Sequence, residues 1–103
     1  MIALALLLQV RTYWPVTVAT LASGLNHHTH VAVSGRVSYV NKELDGDLHI
    51  RISDSTLYII AECIPKLPCR IPHVGEIITV KGISRKDNEH GWWEVHPVEE
   101  LIP

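Results

Sequence analysis

Seven histidines stand in a chain of 103 residues that has no phenylalanine. Imidazole ligates metals and moves protons near neutral pH, and it is also common on polar sheet faces. His27, His28 and His30 crowd into one polar stretch, whereas His49 and His96 stand near acids. If the strands that carry them are neighbours, His49, Glu62, Glu94 and His96 share one face. Imidazole and carboxylate at close range suit zinc. A single bulge would turn half of these side chains inward. No Cys-x-x-Cys accompanies them, and the His-x-His of His28-Thr29-His30 falls in a loop. The reading is therefore a hydrogen-bonded polar patch, with no metal and no cofactor assigned.

Three other groupings have chemical content. Asp45, Asp47 and Asp54 place oxygen ligands in turns, which suits a hard cation such as calcium; the plain alternative is a hairpin with charged flanks. Cys63 and Cys69 bracket a stretch with two prolines, Pro65 and Pro68. In an oxidising compartment they can bridge and pin that loop, and in a reducing one they serve as small buried apolar groups. Neither has the neighbours of a nucleophile. In Trp92-Trp93-Glu94-Val95-His96, alternation puts Trp92, Glu94 and His96 on one face and Trp93 with Val95 on the other. Trp93 then belongs to the core. Trp92 is either a surface contact for a partner or a structural ring covered by Tyr13 or Trp14.

Length allows one domain and excludes the large cofactor-binding folds. Apolar residues at 47% are enough for one core, and charged residues at 19% are too few for a disordered tail. Nine Lys and Arg against eleven Asp and Glu leave a formal charge of -2. That weakens the case for tight non-specific binding to nucleic acid, which rests on a basic surface. Met1–Val10 reads as an apolar segment, either a packed first helix or strand or the remnant of an export signal without its basic start. It is too short to span a bilayer. Localisation stays open between cytoplasmic and exported.

The elements that must position these groups follow from periodicity. Thr17 can cap a short helix that Gly24 ends. From Val31 the period is two, with Val33 and Val37 inward and Gly35 marking a bulge or a bend. Asp45-Gly46 is a hairpin signal. Leu48, Ile50 and Ile52 form the inner face of a second strand, with His49 and Arg51 opposite. Leu57–Cys63 is a third strand, apolar on nearly every position. Pro65, Pro68 and Pro72 forbid a helix or central strand before Gly75. Glu76–Ser84 is a fourth strand and Trp92–Val98 a fifth, with Pro97 placing an edge or bulge near its end.

Five strands, a glycine in the first and a long crossing between the third and fourth match the plan of the OB-fold, an all-β Greek-key barrel. Residues 1–16 form an N-terminal apolar segment and 17–103 the barrel domain. The proline-rich crossing leaves the barrel end to be plugged by the N-terminal segment. Val33, Val37, Leu48, Ile50, Ile52, Ile59, Val80 and Val95 are expected in one core. Val31-Ala32-Val33-Ser34-Gly35-Arg36-Val37 resembles the first strand of nucleic-acid-binding OB domains of the tRNA-anticodon-binding type. Val74-Gly75-Glu76-Ile77-Ile78-Thr79-Val80-Lys81-Gly82 resembles their fourth. The chain also resembles small periplasmic bacterial OB-fold proteins, which implies an interaction or ligand-sensing module of an exported protein.

OB-folds hold single strands on the second and third strands, gripped by the loops that join strands one to two and four to five. Here that means His49, Arg51, Tyr58 and Ile60, with Lys42 in one loop and Arg85 and Lys86 in the other. Arg36 faces outward on strand one, and Tyr58 with Trp92 or Trp93 offers rings for stacking. Glu43, Asp45 and Asp47 would repel phosphate beside this groove. The expected function is a non-catalytic module for single-stranded DNA or RNA; a homo-oligomer or protein partner is the other class. A hydrolase is the weakest reading. Staphylococcal-nuclease-like enzymes are OB-folds with a similar Asp-Gly-Asp, but Ser53-Asp54-Ser55-Thr56 stands where their Asp-Thr-Pro-Glu would be.

Overall fold

Thr17 adopts extended backbone, and its hydroxyl accepts the Thr20 N–H at 3.0 Å. This caps a five-residue helix, α1 (Val18–Ala22). Gly24 follows it at φ +73°, the left-handed position that a Cβ disfavours. The computed structural model describes residues 11–103. The expectations for Met1–Val10 lie outside the described residues.

Six strands account for most of the rest: β1 (Trp14–Val16), β2 (His30–Lys42), β3 (Leu48–Asp54), β4 (Leu57–Cys63), β5 (Ile77–Asp87) and β6 (Trp92–Ile102). Their order is β1-β2-β3-β4-β6-β5, and β5 returns to pair with β2, which closes a five-stranded barrel. β4 and β6 run parallel, with Ile60 opposite Glu94 and Ala61 opposite Val95. β1 is an addition to the expected plan. It runs parallel to the start of β2, with Trp14 opposite Val31.

Closure depends on the length of β2. Its first half pairs with β5 from His30 to Arg36, and its second half pairs with β3 from Arg36 to Lys42. The strand must therefore cross the barrel at Gly35. A Cβ there would stand 2.5 Å from Ile52 Cγ2 and 3.2 Å from Val18 Cγ2, so glycine serves close approach. The bulge itself lies further on, between Val37 and Tyr39.

All eight residues expected in the core are buried. Val18 and Leu21 of α1 join them, and α1 packs against β2, β3, β4 and β6. Among the described residues it is this helix that fills the barrel end. Full burial of a Val, Leu or Ile side chain contributes about 1.5–3 kcal/mol, so this cluster dominates stability.

The strands run further than alternation alone predicts. Lys42 ends β2, and Arg85 and Lys86 lie within β5, so none of the three belongs to a loop. β6 continues past Pro97 to Ile102 because Val98 and Leu101 still find partners in Gly82 and Val80. The crossing from β4 to β5 is a pinned loop. Cys63 and Cys69 are bridged, with Cα atoms 6.0 Å apart. Arg70 donates to Pro103 O at 2.7 Å and reaches both Glu76 oxygens. Together with the His73 N–H, that guanidinium holds the Glu76 carboxyl down at about 2. Among the described residues, no helix is long and apolar enough to cross a membrane.

Candidate nucleic-acid interface

The outer face of β2, β3 and β4 is built by alternation. Leu48, Ile50 and Ile52 point inward, so His49, Arg51 and Ser53 point out. The bulge after Val37 changes the parity of β2. Val40 turns to the core, and Tyr39 faces out opposite Arg51. Tyr58 lies opposite Ser53 on the other side. The Arg51 guanidinium carbon then lies 5.7 Å from the Tyr39 ring centroid and 5.4 Å from that of Tyr58. Its Nε donates to Ser38 Oγ at 2.9 Å, and Ser38 is in turn 2.6 Å from Ser53 Oγ. Among the described residues Arg51 has no carboxylate partner. Tyr39 is 50% exposed and Tyr58 40%, so two flat rings and a free cation line one open surface.

The adjoining half of the face is different. His49 Nε2 is 2.8 Å from Glu62 Oε1, and His96 Nε2 is 3.4 Å from Glu62 Oε2. Burial, with Asp47 beside it, pushes the Glu62 carboxyl up against the pull of both histidines. Glu94 is fully buried and already satisfied. Arg85 Nε donates to one of its oxygens at 2.6 Å and Trp92 Nε1 to the other at 3.0 Å. The polar patch expected around His49, Glu62, Glu94 and His96 thus forms as two groups.

Of the binding residues expected from sequence, His49, Arg51 and Tyr58 lie on this face, and Arg85 and Trp92 meet at Glu94, opposite Ile60 of β4. Both are there occupied by Glu94. The other three make separate contacts, Arg36 at the margin of this surface. Arg36 donates to Gly75 O at 2.6 Å, beside a groove of about 530 Å³ that Ser34, Ser38 and Ser53 help to line. Lys42 lies opposite Leu48 and borders a small cleft beside Pro65 and Cys69. Lys86 lies opposite Trp93 with its ammonium over that ring. Tyr39 was missed, although the apolar steps 31, 33, 37 and then 40 betray the extra residue. Trp93 packs on the core as expected. Neither Tyr13 nor Trp14 covers Trp92: Trp14 stacks on His28, and Tyr13 bonds Glu99. Trp92 stacks instead on His90, at 4.5 Å and 7° between planes.

The His90 contact has a pH dependence. Asp87 Oδ2 accepts from His90 Nδ1 at 2.8 Å, which raises the histidine above 6.5 and lowers the aspartate. The pair is intact below His90's ordinary value and above that of Asp87, and it is lost as pH rises through the raised histidine value. Trp92 fluorescence should therefore change on alkalinisation with a midpoint above 6.5, and the change should vanish in His90→Ala. A midpoint at or below 6.5 would reject the contact.

A long first barrel strand that bends between two partners, a parallel closing pair and a five-strand circuit decide the architecture. The barrel is an OB-fold. Among solved structures it is similar to asparaginyl-tRNA synthetase from Pyrococcus horikoshii, with TM-score 0.67 and 21% identity over 84% of this chain. It is also similar to a putative aspartyl-tRNA synthetase from Leishmania major Friedlin, with TM-score 0.66 and 14% identity over 92%. The aligned part is 22% of the first and 21% of the second, so this chain spans about a fifth of either. A third, an OBody bound to hen egg-white lysozyme, matches with TM-score 0.64 and 16% identity over 90% of this chain and 95% of that one. At these identities the likeness concerns the fold. No protein-family model matches the chain, and no curated protein matches its sequence.

Proposed function

We propose that this OB-fold is a non-catalytic module that binds single-stranded nucleic acid across β2, β3 and β4. The observation that carries the reading is Arg51 between the exposed rings of Tyr39 and Tyr58. A guanidinium attracts phosphate, and each ring offers a surface on which any base can stack. The synthetase neighbours place the same fold within proteins that act on tRNA, which supports the choice of ligand class. The acidic loop with Glu43, Asp45 and Asp47 keeps the affinity low, about 10⁻⁴ to 10⁻⁶ M near physiological salt.

The test is a fluorescence titration of labelled single-stranded DNA and RNA at low and moderate salt. Arg51→Ala is expected to weaken binding and flatten its salt dependence. Tyr39→Ala and Tyr58→Ala should each weaken it about tenfold with the salt slope unchanged, because stacking contributes about 1–3 kcal/mol per base. No salt-dependent binding by the wild-type protein at low ionic strength would remove the reading. The protein-interaction module then takes its place, a use of the fold that the lysozyme-bound OBody illustrates.

A further inference from the structure

Three ligand atoms converge on the outer face from parts of the chain distant in sequence. Asp47 closes the β2–β3 hairpin, Glu62 lies near the end of β4, and His96 lies in β6. One carboxylate oxygen from each acid and one imidazole nitrogen all lie within 4.8 Å of one another. We propose that Asp47, Glu62 and His96 bind a divalent transition ion, zinc by ligand type.

The Glu62–His96 spacing matches a metal site. The 3.4 Å between Glu62 Oε2 and His96 Nε2 exceeds the usual 2.7–3.2 Å of a hydrogen bond. Two ligands held about 2.0–2.1 Å from a tetrahedral zinc stand about 3.4 Å apart. The other Glu62 oxygen is held by His49 at 2.8 Å, and the second nitrogen of His49 faces Glu43 at 3.9 Å. Such outer contacts fix the orientation of a ligating carboxylate. His49 is therefore a positioning residue. Glu62 is only 8% exposed and lies beside a second carboxylate, and a cation between them would offset their repulsion. Imidazole nitrogen with carboxylate oxygen suits zinc better than the all-oxygen shell of calcium or magnesium.

Glu94 takes no part, because Arg85 and Trp92 use both of its oxygens. Three protein ligands leave a fourth position for water or a ligand from solution. No metal was assigned from the sequence, because a site assembled from a hairpin and two strands has no short-range spacing to display. The site adjoins the proposed strand-binding surface and shares His49 with it, but zinc binding and strand binding are read by separate titrations, so either can fail without the other.

The probe is zinc chloride, titrated by calorimetry into the full chain stripped with a chelator. One ion per chain is expected. Asp47→Asn, Glu62→Gln and His96→Gln should each weaken binding at least about tenfold. His49→Ala should weaken it by about 10–100-fold, and His49→Gln, which keeps a donor for Glu62, should recover part of that loss. A combined His27→Ala, His28→Ala and His30→Ala variant should bind as wild type. Imidazole NMR signals of the unaltered protein supply a measurement free of folding defects: zinc should move His96 and His49 and leave His90 in place. Absence of one-to-one binding, loss of binding in the loop-histidine variant, or signal changes confined to other histidines would overturn the proposal.

Discussion

Gly82→Ala is expected to cost about 3 kcal/mol or more, a large part of the 5–15 kcal/mol that holds a domain of this kind together. Gly82 lies in β5 between two register shifts, opposite Val98 of β6 and Val31 of β2. A Cβ there would collide with the Pro97 carbonyl oxygen, stand 2.7 Å from Val95 Cγ1 and 3.1 Å from Val98 Cα. Two of these atoms are backbone, so no rotamer change relieves the clash. Overpacking that side chains absorb costs about 1–3 kcal/mol, and a displaced strand costs more. Gly91→Ala is the useful control. That glycine has φ +78° and nothing within 4 Å of the added Cβ, so only conformational strain of about 1–2 kcal/mol applies. Urea unfolding reads both. Equal losses in the two variants would mean that β5 and β6 do not approach as closely as described.

Removing the disulfide should be the next largest loss. Replacing Cys63 and Cys69 together by alanine frees a loop of only a few residues in the unfolded chain. Loop-closure entropy for so short a span gives about 2–3 kcal/mol. For a domain of this size the melting temperature should fall by about 10 °C or more. The Cys63 side chain is also buried in the core, so serine should be worse than alanine there. Reduction of the wild-type protein offers the same test without mutation. If reductant leaves the melting temperature unmoved, the bridge contributes nothing to the folded state under those conditions.

Barrel strands were legible where one face is continuously apolar. Leu48, Ile50 and Ile52 give the register of β3 outright, and with it the outward position of His49 and Arg51. Tyr39 was harder, because it stands on the inward parity of Val31, Val33 and Val37. Only the bulge turns it toward Arg51, and a bulge is a property of two paired strands. β1 was missed for a related reason. Trp14-Pro15-Val16 is too short to alternate, and it exists as a strand only because the edge of β2 accepts it. Pairing of charges was equally hidden. Arg85 and Glu94 look like separate surface groups in sequence, yet adjacent strands set them opposite each other. The polar patch around His49 and Glu62 was anticipated; that Asp47 would replace Glu94 in it was not, since the hairpin places Asp47.

The shared strand β2 also governs how the molecule comes to exist. During synthesis β2 emerges early and can pair at once with β3 through the Asp45-Gly46 hairpin. Its first half must wait for β5, and β4 must wait for β6 to complete its pairing, long after β2 itself has been made. Such pairings across long stretches of chain slow folding, because the entropy of closing the loop is lost before contacts compensate. Until then Val31 and Val33 have no barrel to enter, and the half-built sheet shows an unpaired apolar edge to its surroundings. The nascent chain is thus most exposed to aggregation in the interval between completion of β4 and arrival of β5.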